Sequence, residues 1–379
     1  MLLEKTPAGD LLKEENKALF LLFQGQRNVL SSSPWNGGYR EDLRVAFNYD
    51  EKPADGYCRL RAATYQEHLR LIAAELGLDP ARATGLSTAA SMRNAAMAVE
   101  THGRLSVAAI VTAGVAVNGG RAGDPAAYEE QRLFPVKPGT INILLEIDAA
   151  LPPAAMAGAL ITATEAKVAA LQELLAGSNY STGLATGSGT DGAILVSHPE
   201  APLRLTDPGK HSKLGELIGR AVLGAVKEAL ARESDLTPES QHSVLQRFKR
   251  YGMDEEWLWR QYQKTARSKT GTGSGLSKAG FSQALKHLDR RGDWVAAASL
   301  YIHLMDQYAW GMLHETETSA AAAALLDGLG REWGSESGAG IPEPGPCDHT
   351  IQALRYAFAQ TLLAGIAGTS AAKTRPGAG

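Results

Sequence analysis

Residues 140–197 read TINILLEIDAALPPAAMAGALITATEAKVAALQELLAGSNYSTGLATGSGTDGAILVS, and their reading decides the fold. Thr140–Ile147 alternates Ile141, Ile143, Leu145 and Ile147 with Asn142 and Glu146, the period-two pattern of a strand. Pro152 and Pro153 sit where a helix begins, because a proline at the first helical position gives up no hydrogen bond. Met156, Leu160, Val168, Leu171 and Leu175 recur at helical spacing over 154–175, and Gly177 ends the run. Ala193–Ser197 is a further strand. Upstream, Leu105–Val117 is an apolar run of the kind that forms a buried strand. Downstream, residues 212–231 put Leu214, Leu217, Ile218, Ala221, Val222, Val226 and Leu230 on one helical face. Strand, helix, strand, helix in succession means a sheet covered by helices.

The chain changes character near residue 235. Thr237-Pro238-Glu239 is a helix start, and the spacing predicts helices near 238–251, 254–267, 277–291, 293–314, 317–333 and 349–366. Residues 268–277 and 334–346 are small and polar enough for connectors. The expectation is α+β: layered sheet covered by helices over 1–234, with an α-β-β-α sandwich as one form of it. An all-α extension over 235–368 and a disordered tail over 369–379 follow. Trp257, Trp259, Trp294 and Trp310 are expected in the helical core.

Composition narrows the chemistry. Of 379 residues, 44% are apolar and 21% charged, which suits a globular protein. A net charge of −3 does not suggest a nucleic-acid surface. Cys58 and Cys347 cannot make a disulfide framework, a four-thiolate zinc site or an iron–sulfur cluster. The nine histidines show no HExxH, HxH or HxxxH, so no dedicated metal site is expected. The first residues carry charges where a signal peptide needs an apolar core, and apolar stretches look short of the ~20 residues that span a bilayer. A cytoplasmic protein is therefore expected.

Candidate chemistry lies in four places. Ala185–Gly192 (ATGSGTDG) alternates glycines with hydroxyls and a carboxylate, and its backbone N–H groups can form an anion or oxyanion nest. The plain alternative is a turn that satisfies its own backbone. It does not fit GxxxxGK[ST], so no phosphate loop is read. Lys210, His211, Lys213 and Glu216 open a helix, where a solvated start is the alternative. Thr162, Glu165 and Lys167 interrupt an Ala/Leu helix, and Arg121 and Asp124 follow a buried strand. If Asp191 and His211 face one end of the sheet, the carboxylate would orient the imidazole for proton transfer.

Several blocks together carry a resemblance. They are LSSSPWNGG (30–38), GLSTAA (85–90), AAIVTAGV (108–115), RAGD (121–124), GTINI (139–143), ITATEAK (161–167), ATGSGTDG (185–192) and GKHSKLGELIG (209–219). In order and spacing they resemble the adenosylcobinamide amidohydrolases of corrinoid salvage, over about residues 15–232. That family more often has Thr where Ser188 stands. The resemblance implies hydrolysis of the amide joining aminopropanol to the corrin ring, with the corrinoid as substrate and no protein cofactor. Its cobalt belongs to that substrate. The expected catalytic residues are Asp191, His211, Glu165 and Thr88. The expected substrate contacts are Asn36, Arg121, Asp124, Asn142, Lys167, Thr186, Gly187, Ser188, Gly189, Thr190, Lys210 and Glu216. The expected partner is a small corrinoid, without nucleic acid or a membrane span, and a homo-oligomer is left open. The order GTINILLEID, helix, TGSGTDGAILV is also similar to DmpA-type aminopeptidases and ornithine acetyltransferases, which implies a hydroxyl nucleophile near Ser87, Thr88 or Ser91.

Overall fold

The computed structural model describes residues 2–52, 60–126, 139–270, 275–332 and 347–373. The chain divides into two compact units, Met1–Thr237 and Pro238–Gly379. In the first unit the elements run β1 (Leu2–Lys5), β2 (Leu11–Glu15), β3 (Ala18–Leu22), β4 (Asn28–Ser31), β5 (Gly38–Arg40), β6 (Val45–Asp50), α1 (Tyr65–Glu75) and β7 (Ala83–Thr88). They continue with β8 (Ala96–His102), β9 (Leu105–Ala113), β10 (Gly119–Gly120), β11 (Ile141–Ile147), α2 (Pro153–Glu173), β12 (Gly187–Ser188), β13 (Gly192–Ser197) and α3 (Lys213–Ser234).

Two sheets form. The first has the order β1-β2-β3-β6-β7, and the second β5-β4-β13-β11-β9-β8. In the second, β11 and β13 are parallel, joined by α2, while β9 lies antiparallel to β11 with Ala113 opposite Ile141. Side-chain alternation decides the layers. Ile141, Ile143, Leu145 and Ile147 of β11 bury against Met156, Ala159 and Ala163 of α2 and Ile218, Val222 and Val226 of α3. The opposite face, with Ile110, Leu144, Ile194 and Val196, meets Leu12, Leu19 and Leu21 of the first sheet. The far face of that sheet places Phe20, Val45 and Phe47 on Leu69, Ile72 and Ala73 of α1. The layers are thus helix, sheet, sheet, helix, the α-β-β-α form of the expected α+β fold. Gly85 has to be glycine: a Cβ there would stand 2.2 Å from the Phe47 ring.

By length and composition α2 is, among the described residues, the one helix apolar enough to cross a bilayer. That corrects the expectation that every apolar stretch is too short. Only one face of it is buried, with Met156, Ala159, Ala163, Ala170 and Leu171 packed on the second sheet, while Ile161 is exposed.

The second unit is helical: α4 (Pro238–Gln241), α5 (Val244–Phe248), α6 (Glu255–Thr270), α7 (Lys278–Asp289), α8 (Gly292–Ala309), α9 (Glu315–Glu332) and α10 (Cys347–Lys373). Phe248, Phe281, Trp294, Tyr301 and Phe358 fill its core. The expected helix 238–251 breaks because Ser243 turns its hydroxyl to the Gln246 amide and starts a new helix. Trp310, expected in the core, is 52% exposed beyond the end of α8. α10 carries the helix through 369–373, expected in the tail, whereas 374–379 lie outside the described residues.

Candidate functional site

The glycine-rich turn sits at the end of the second sheet where β9 stops and β11 and β13 begin. Gly187 and Ser188 pair with Gly120 and Gly119, so the turn is stitched to the loop after β9. Asp191 organises it. Its carboxylate accepts the Ile141 N–H at 2.9 Å, the Ser188 Oγ–H at 2.7 Å and the Ser188 N–H at 3.1 Å. Lys167, reaching from α2, donates its ammonium to the same carboxylate. Both side chains are nearly enclosed, at 11% and 16% exposure. A Cβ on Gly187 would stand 2.1 Å from Asp191 Oδ2, so only glycine admits this clasp.

The rest of the turn is cross-braced. Thr140 Oγ donates to Thr190 O at 2.6 Å, and Thr190 Oγ to Gly139 O at 3.1 Å. Thr186 Oγ accepts the Ala122 N–H at 2.9 Å. Asp124 accepts from the Arg121 N–H and the Ser178 hydroxyl at 2.8 and 2.5 Å. Burial pushes the Asp124 carboxyl up, but the hydrogen bonds from Ser178, Ser181 and Arg121 outweigh it and hold its pKa below the usual range. Gly189 and Thr190 at the tip are exposed, as is Arg121.

Between the sheets, just below this end, lies a polar layer. Asn142 donates to Asn48 Oδ1 at 2.8 Å and Ser87 O at 2.9 Å, and Asn48 donates to Thr112 Oγ at 2.7 Å. The Asn142 Oδ1 is buried without a partner. Thr88, also buried, accepts the Ala90 N–H on its hydroxyl at 3.0 Å, and Ser87 Oγ meets the Tyr65 hydroxyl at 2.9 Å.

Two carboxylates that sequence reasoning missed border this layer. Asp50 lies opposite Thr88 in the β6–β7 pairing. Glu233, in the last turn of α3, accepts the Ser91 N–H at 3.1 Å and Asn94 Nδ2 at 2.8 Å. Burial raises the Asp50 pKa, and the charge of Glu233 adds to it. In sequence, one ends a strand and the other ends a charged helix tip, so neither gives a signal.

The remaining candidates fall elsewhere. Glu165 pairs with Lys210 at 2.6 Å, with side chains 47% and 63% exposed. Lys213 and Arg220 flank Glu216, and the hydrogen bond from Lys213 is the main reason its pKa is lowered. Asn36, at φ +52°, ties its turn to Pro80 O and Ala83 O at 2.7 and 2.8 Å.

The expected pairing of Asp191 with His211 is not formed. His211 is exposed just before Ser212, which caps α3. The other end of α3 brings Glu233 against Gly114, whose N–H bonds Thr140 O beside the Asp191 clasp. The 22 residues of α3, about 33 Å at the usual helical rise, therefore separate His211 from that end. In the chain β13 lies between the two: Asp191 precedes that strand and His211 follows it, so the strand carries the chain away from the clasp before α3 begins.

A family model described as adenosylcobinamide amidohydrolase matches residues 4–238. An uncharacterized protein of Methanocaldococcus jannaschii is 34% identical over 240 residues, 60% of this chain and 91% of its own. An adenosylcobinamide amidohydrolase of Methanosarcina mazei is 37% identical over 105 residues, 26% of this chain and 49% of its own. The chain thus spans about half the length of that second relative. A Pyrococcus horikoshii protein of solved structure covers 58% of this chain and 82% of its own at a TM-score of 0.30 and 13% identity.

Proposed function

The chain belongs to the adenosylcobinamide amidohydrolase family, and from that premise we propose that it cleaves the amide joining aminopropanol to the corrin ring of adenosylcobinamide. The products are adenosylcobyric acid and aminopropanol. The observation that carries this reading is the family match over residues 4–238, which takes in all but the first three residues of the α-β-β-α unit and includes its braced turn. The geometry supports it in kind. Amide hydrolysis needs an attacking oxygen, donors for the carbonyl oxygen and a proton for the leaving amine. The turn at 187–191 is held in place by its own hydrogen bonds, and Asp50, its pKa raised by burial, lies near Glu233 as a second carboxyl. The substrate is a small corrinoid, the setting cytoplasmic, and no nucleotide takes part because hydrolysis of an amide runs downhill in water.

The test is incubation of the full chain with adenosylcobinamide, without ATP, followed by chromatography. Appearance of adenosylcobyric acid supports the reading. A corrinoid that is bound but unchanged overturns it in favour of a carrier.

A further inference from the structure

We propose that Lys167 is the group that meets the scissile carbonyl oxygen, and that Asp191 is a positioning residue acting through it. This rests on the amidohydrolase reading above.

Three observations carry it. First, Asp191 has no need of a cation. A carboxylate offers about four lone-pair sites, and Ile141 N–H, Ser188 N–H and Ser188 Oγ–H already approach at 2.7–3.1 Å. The dependence runs the other way: a Lys only 9% exposed is rarely buried without a partner. Second, packing has no need of Lys167. Its neighbours along the buried face of α2 are Ala163, Ala166, Ala170 and Leu171, and an apolar side chain would serve there. Third, an ammonium has three donors, and the Asp191 carboxylate takes one. Gly187 keeps side-chain atoms away: a Cβ there would stand 2.8 Å from Lys167 Nζ.

The same saturation disqualifies Asp191 as the base. To take a proton from water it would have to release the turn it holds. The step balances with Lys167 in the electrostatic role. A water oxygen bonds to the amide carbon, and the carbonyl π pair moves onto oxygen beside the ammonium. On collapse the C=O re-forms, the C–N bond breaks, and the amine leaves with a proton that came from the water. Lys167 keeps all three of its protons.

The experiment compares wild type, Lys167→Met and Lys167→Arg as full chains, each checked for folding by thermal melting. Removing one oxyanion donor typically costs about 10²–10³ in kcat. Lys167→Met should lose about that much, with KM for adenosylcobinamide changed less than about threefold. Lys167→Arg, which keeps the cation and its N–H donors, should recover part of kcat. A folded Lys167→Met with near-normal kcat, or a folded Lys167→Arg no more active than Lys167→Met, overturns the proposal. Titration with adenosylcobyric acid, whose carboxylate stands where the oxyanion forms, is independent of turnover. If wild type fails to turn over, the amidohydrolase reading fails by itself. Equal affinity of wild type and Lys167→Met for adenosylcobyric acid would still overturn the role of Lys167.

Discussion

The Thr6 hydroxyl donates a 2.8 Å hydrogen bond to the Glu146 carboxyl, fastening the turn after β1 to the middle of the second sheet. Glu146 is 2% exposed, and its other oxygen is buried without a partner. Beside it Asp10 is spent on Arg27 at 2.8 and 2.9 Å. Burial pushes the Glu146 carboxyl up to about 8, against the Thr6 bond and with the help of the Asp10 charge. The folded state therefore holds a proton that the unfolded chain, titrating near 4.5, gives up. Stability falls as pH rises from about 4.5 to about 8 and levels off above, because the unfolded state then binds fewer protons. Glu146→Gln should flatten that decline in thermal melts taken across the window. A variant that parallels wild type at every pH refutes it.

Lys167 and Asp191 should differ as stability mutants. Asp191→Asn leaves an enclosed ammonium without its counter-ion, and breaking such a pair costs about 3–5 kcal/mol. Lys167→Met leaves a carboxylate that keeps the Ile141 and Ser188 donors, so it should cost less. Urea unfolding of the two variants measures the difference. Equal losses would mean that the backbone donors carry none of the Asp191 charge.

Gly187→Ala tests the clasp from the other side. The new Cβ would stand 2.1 Å from Asp191 Oδ2, and overpacking of this kind costs about 1–3 kcal/mol. Because the strain falls on the clasp itself, turnover should drop further than that loss of stability explains at assay temperature. Wild-type kcat in a folded variant would show that the turn tolerates a side chain.

His211→Ala should lower turnover less than about threefold, far below the 10²–10⁴ that a general acid or base contributes. His211 is exposed at the mouth of α3, apart from the Asp191 clasp. A loss of a hundredfold with an unchanged melting temperature would return it to the chemistry.

What the sequence discloses follows physical lines. β9, β11, α2, β13 and α3 are legible because each buries a long apolar face, and their bounds shift by a few residues at most, save β9, whose apolar run outlasts the strand at Ala113. The first sheet is not legible: β1, β2, β3, β6 and β7 are four to six residues long and carry no extended alternation. Asn142 and Glu146 look like the wet face of β11 and instead lie between two sheets, a placement that only the second sheet creates. The clasp is half legible. ATGSGTDG announces a braced turn, but Lys167 is 24 residues from Asp191 and on another element, and Asp50 with Glu233 meets only through the fold.

The helical unit after residue 237 is dispensable for the chemistry if the clasp is where it occurs. Every residue of the clasp and of the polar layer beneath it lies within Met1–Thr237, which is compact by itself. The α-β-β-α core is closed on both faces by α1 and by α2 with α3, so ending the chain after Thr237 leaves those two helical faces in place. Phe248, Trp294 and Phe358 bury among themselves in the second unit, so their loss removes a separate core. A chain ending at Thr237 should melt cooperatively and keep kcat on adenosylcobinamide within about tenfold of the full chain, the loss of a single modest contact being about 1.4 kcal/mol. Far-UV circular dichroism with product chromatography reads both. A truncated chain that folds yet releases no aminopropanol would mean that the helical unit completes the site.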